Sequence, residues 1–168
     1  MFRAGVSLTV FLALAAWAGA QGPALSTGEQ LEMLRANRAV IDGLIDQSVE
    51  MAAADTPLKR AAAGQKTAGA LAGAVAREAG RGNADRVAEF AGHLETVVRD
   101  ALVPNLDEAR RTIPPESPDA PRLKKIRDDA RLDLDGVGEA LGAPGKVGDD
   151  ATVQELRRKL GALRDALK

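Results

Sequence analysis

The chain has no cysteine and no tyrosine, and its 168 residues include one tryptophan, three phenylalanines and one histidine. Without cysteine there is no thiol nucleophile, iron–sulfur ligation, thioether-linked haem, cysteine zinc site or disulfide framework. Stability must come from packing alone. Charge of one sign is also missing: 23 basic residues stand against 24 acidic ones, so no net field favours nucleic acid or an anionic membrane as partner. Nor is there any run of strict apolar–polar alternation, and with it goes the expectation of a sheet.

What is present starts at the N-terminus. Met1, Phe2 and Arg3 give a short positive start, Ala4 to Trp17 are mostly apolar, and Ala18, Gly19 and Ala20 are small. That order predicts a secretory signal peptide over residues 1–20, cleaved after Ala20. A membrane anchor would need about 20 strongly apolar residues, whereas this run is shorter, Ala-rich and followed by Gly22 and Pro23. Cleavage would remove Arg3, Trp17, Phe2 and Phe11. It would leave Phe90 as the sole Phe, Tyr or Trp, with 22 basic against 24 acidic residues.

The remainder is long enough for one buried core and reads as helix nearly throughout. The expected fold class is all-α: a soluble bundle of four to five helices. The expected order is a tail at 21–25, the bundle at 26–142, a Gly-rich loop at 143–149 and an amphipathic helix at 150–168. Ser26 with Glu29 forms a capping box. Leu31, Leu34, Ile41, Leu44, Ile45 and Ala52 then mark the inner face of a first helix ending near Ala54. Asp55, Thr56 and Pro57 stop it and start a second, whose inner face is Leu58, Ala61, Ala68, Leu71, Ala72 and Val75. Gly64, Gly69 and Gly73 interrupt that helix at roughly 1 kcal/mol each. Gly69 and Gly73 make a GxxxG pair, read here as close packing between helices because Lys66, Arg77 and Glu78 forbid a membrane span.

Gly80 ends the second helix and Asn83 caps the third, whose stripe is Val87, Phe90, Leu94, Val97 and Ala101. Beyond Pro104 the stripe resumes about one position out of step, as Leu102, Leu106, Ala109 and Ile113, which predicts a kink near Pro104. Pro114 to Pro121 reads as an extended linker. A fourth helix carries Leu123, Ile126, Ala130, Leu134, Val137 and Leu141, followed by a flexible loop of Gly142, Pro144, Gly145 and Gly148. The last helix begins near Asp149 or Asp150 and sets Val153, Leu156, Leu160, Leu163 and Leu167 in a coiled-coil register.

The runs LRANRAVIDGLIDQSVEMAAADTPLKRA (34–61), VAEFAGHLETVV (87–98) and NLDEARRTIPPESP (105–118) resemble an uncharacterised family of exported all-helical proteins of planctomycete-type bacteria. The resemblance covers roughly residues 30–135 and leaves the last helix aside. It implies a bacterial, extracytoplasmic (periplasmic or secreted) setting and an all-helical fold, and it implies no activity.

Candidate chemistry is sparse. Asp85, Glu89 and His93 form an i, i+4, i+8 column that could hold a divalent ion weakly, but zinc sites want three or four ligands rich in His or Cys. His93 with Met33 or Met51 could in form ligate a haem, and nothing else supports that. Asp133, Leu134, Asp135 and Gly136 look like part of a calcium loop, but the loop's first and twelfth positions would be Arg131 and Gly142, so both carboxylates are missing. One histidine and three serines past residue 20 (Ser26, Ser48, Ser117) give no nucleophile–base pair, and Ser26 and Ser117 read as helix caps. No catalytic residue, cofactor or metal is expected, and the chain is not expected to be an enzyme.

The expectation is a non-catalytic interaction or structural module. It would engage a protein partner or another copy of itself through helix faces, without nucleic acid and without stable membrane insertion after cleavage. The candidate face is Val153, Leu156, Leu160, Leu163 and Leu167, which can dock in cis or in trans. A periplasmic stress sensor or holdase-like chaperone is the alternative, and weak metal binding through His93 is another.

Overall fold

Regular structure among the described residues is helical throughout, as 3.6-residue periodicity without strand alternation requires. The computed structural model describes Thr27, Gly28, Leu31, Arg38, Asp42, Gly43, Ile45, Asp46, residues 49–145 and residues 147–167. The chain divides into two compact units, Met1–Ala36 and Asn37–Lys168. In the first, Thr27, Gly28 and Leu31 are helical and exposed. The expected signal peptide, the tail at 21–25, the cap at Ser26, and Leu34, Ile41 and Leu44 lie outside the described residues.

The second unit is an all-α bundle. A helical segment described at Arg38, Asp42, Gly43, Ile45, Asp46 and residues 49–53 precedes α1 (Pro57–Gly80) and α2 (Ala84–Val97). A π-helical turn (Val98–Leu102), α3 (Val103–Thr112), α4 (Ala120–Gly142) and α5 (Ala151–Ala166) follow. No helix among the described residues is long and apolar enough to cross a membrane.

Thr56 starts α1 as expected: its backbone is extended, its hydroxyl accepts the Lys59 N–H at 3.3 Å, and Pro57 sits in the first turn where a missing N–H is harmless. α1 is the axis of the bundle, packing against α2, the π-turn, α3 and α4. Of its 24 residues only Lys59, Lys66, Ala76, Arg77 and Gly80 are exposed. A helix enclosed on so many sides has to be thin, and Ala61, Ala63, Ala68, Ala72 and Ala74 make it so. Close backbone approach occurs at Gly64, where an added Cβ would lie 3.5 Å from the Cα of Leu102. The GxxxG pair does not meet a neighbouring backbone. Gly69 fronts the Asp133 carboxylate, and Gly73 has only the Arg77 guanidinium of its own helix nearby.

Where a kink was expected the chain has a π-turn, Val98–Leu102, two residues before Pro104. Leu94, Val98, Leu102 and Leu106 are all buried, at a constant spacing of four. On a regular α-helix that spacing would carry the stripe about 40° round the axis at each step. A wider turn absorbs the drift and keeps the side chains facing inward. Proline cannot donate to the carbonyl four residues back, and the π-turn falls where that bond is missing. The buried set therefore runs through Val98 and Leu102, and Val97 and Ala101 are only half-buried. Asn105 holds the junction: its side-chain amide donates to the Ala101 carbonyl at 2.7 Å, and its oxygen accepts the Arg60 Nε of α1 at 2.8 Å.

Of the three connections, two differ from expectation. α1 ends at Gly80 and Asn83 caps α2 through the Arg86 N–H, both as expected, and the left-handed residue between them is Gly82, at φ 70°. Pro114 to Asp119 is two successive turns and not an extended linker, with Ser117 N–H on the Pro114 carbonyl and Ala120 N–H on the Ser117 carbonyl, each at 3.0 Å. Pro115 and Pro118 occupy the second position of each turn, for which a proline φ is already set. The loop after α4 is likewise folded. Val147 is buried, Asp149 N–H bonds to the Gly145 carbonyl at 2.9 Å, and Gln154 of α5 donates to the carbonyls of Leu141 and Gly148. Asp150 then caps α5, accepting the Val153 N–H at 3.0 Å.

Two glycine substitutions separate these roles. An added Cβ at Gly148 would lie 2.0 Å from the Ala143 carbonyl oxygen, so Gly148→Ala is expected to destabilise by about 1–3 kcal/mol, the scale of overpacking. At Gly73 the nearest atom is a mobile guanidinium nitrogen at 3.4 Å, so Gly73→Ala is expected to stabilise by up to about 1 kcal/mol through helix propensity. Denaturant unfolding followed by circular dichroism checks both signs.

Candidate functional site

The one histidine and its two carboxylate neighbours stand on the outer side of α2. Asp85, Glu89 and His93 are all exposed, opposite the buried Val87, Phe90, Ala91 and Leu94. Glu89 is drawn sideways into an ion pair with Arg86, whose guanidinium lies 4.6 Å from the centre of the Phe90 ring. Among the described residues no group of three or more His, Asp or Glu side chains is placed to hold a metal ion. Met51, the described haem-ligand candidate, is half-buried before α1, and Met33 lies outside the described residues. The Asp133–Gly136 run is divided between two helix contacts: Asp133 accepts from Gln65 of α1 at 3.1 Å, while Asp135 pairs with Arg164 of α5 at 3.1 Å.

The expected interaction face on α5 is used within the chain. Val153, Leu156, Leu160 and Leu167 are buried and Leu163 is half-buried, and α5 packs against α2 and α4. Arg157 closes this contact by donating from Nε to the Gly138 carbonyl at 3.1 Å. Its guanidinium covers Gly142, where a Cβ would lie 2.5 Å from Nη2.

An apolar surface is instead left on the N-terminal helical segment. Ile45 and Ala52, expected on its inner face, are exposed, and so is Val49. Ile45 is 45 % and Val49 65 % exposed. One turn apart, they form a strip with Ala52 and Ala53. Among the described residues of this segment Gly43 and Met51, eight apart and so on one side of a helix, are the partly covered ones. The ion pair from Lys66 to Glu50, at 2.6 Å, is a contact that ties the segment to α1.

A surface cleft of about 200 Å³ lies where α3, the start of α4 and the end of α5 meet. Val103, Leu106, Leu123 and Leu167 wall it, and Asp107, Arg110, Lys124 and Arg127 stand in its lining. No spacing rule could have found it, because its walls come from three segments far apart in sequence.

Most of the ion pairs among the described residues join groups one turn apart, such as Lys125 with Asp129 at 2.7 Å and Arg158 with Glu155 at 2.7 Å, exposed pairs each worth a few tenths of a kcal/mol. Asp133 differs. Burial pushes its carboxyl above the usual range, and the charge of Asp129 adds to this while the Gln65 hydrogen bond opposes it.

Comparison with family models, with curated proteins and with solved structures finds no match.

A carboxyl raised in the folded state contributes stability that is present below its ordinary value of 3.8 and lost as pH rises through the folded value. Asp133→Asn keeps an acceptor for Gln65 and removes the charge. It is expected to stabilise the chain at pH 7, and the gain over the parent should fade as pH drops below the ordinary carboxylate range; paired denaturation curves at pH 7 and pH 3 read both. His93→Ala, at an exposed position, is expected to shift stability by no more than about 0.5 kcal/mol and to leave metal content unchanged, as denaturation and elemental analysis would report.

Proposed function

We propose that the chain is an extracytoplasmic, non-catalytic interaction module of a bacterial cell envelope, engaging a protein partner or a second copy of itself through helix faces. The observation that carries this reading is the strip at Ile45 and Val49, large apolar side chains 45 % and 65 % exposed and one turn apart on a helix. A pair at i and i+4 is the minimum unit by which one helix reads another. The strip takes the role that the sequence suggested for α5, whose apolar side chains are spent on α2 and α4.

The export part of the reading rests on Arg3, the apolar run to Trp17 and the small residues at Ala18 and Ala20, and on the resemblance to exported planctomycete-type proteins. The interaction part gains support from how the polar groups are used: carboxylates pair with neighbouring cations along the same helix, and the buried polar side chain Thr67 bonds to the Ala63 carbonyl of its own helix. Such groups are engaged in holding the fold.

Replacing Ile45 and Val49 together by Asp is expected to abolish association while leaving the thermal unfolding of the bundle within a few degrees of the parent. The measurement is sedimentation equilibrium of the chain alone, together with site-specific photo-crosslinking in the native envelope from position 53, an exposed neighbour one turn on. Unchanged mass and unchanged crosslinks in the double variant would sink the reading.

A further inference from the structure

We draw no further inference here: the strongest candidate, the surface cleft where α3, the start of α4 and the end of α5 meet, is walled by Val103, Leu106, Leu123 and Leu167, and nothing in the structure shows what covers it.

Discussion

The bundle depends on the thinness of α1. A helix touched by α2, the π-turn, α3 and α4 cannot carry large side chains all round, because every added methylene would push one neighbour away from the axis. Alanine and glycine fill that role, and larger residues such as Leu58, Leu71 and Val75 are few. The cost is local: glycines inside a helix weaken it in isolation, so α1 owes its helicity to its neighbours rather than to propensity. The bulk of the core comes from the surrounding helices, as Leu94, Leu102, Leu134, Leu141 and Leu160 close over a narrow centre. This is how a chain with almost no aromatic residues still builds a close-packed interior.

Closeness to α1 also explains why the α2–α3 rod has the shape it has. Gly64 brings the α1 backbone against Leu102, so the rod must present the same side to α1 over several turns. Its apolar residues recur every four positions, and only a helix widened locally to a π-turn keeps such a stripe in line. The sequence carried both halves of that fact, a proline at 104 and a stripe out of step around it. The reading of Val97 and Ala101 as core came from extending the regular period one step too far.

Elsewhere, what could be read from the sequence was what is local. Thr56 with Pro57, Asn83 and Asp150 start helices because each cap needs only its own next three residues, and the apolar stripes of α4 and α5 follow from period alone. The turns at Pro114–Asp119 were missed because consecutive prolines suit an extended chain and a turn equally; the carbonyls of Pro114 and Ser117 settle it. On the N-terminal segment Ile45 and Ala52, expected inside, are exposed, because periodicity finds a face without saying which neighbour is free to receive it. For the same reason spacing could align Asp85, Glu89 and His93 without showing that the column looks into solvent. The cleft was beyond reach, since it exists only once three distant segments have docked.

The proline-rich connection before α4 and the glycine-rich one after it look alike on paper and differ in the folded chain. Pro114–Asp119 is closed by its own turns and is largely exposed. The loop after Gly142 is tied to both of its helices, through Val147 in the core and Gln154 reaching back to Leu141 and Gly148. As a place to open the backbone, insert a tag or create new termini, the first is permissive and the second is not. An engineer or a protease would therefore part this bundle between α3 and α4, leaving α4 and α5 joined as a single hairpin.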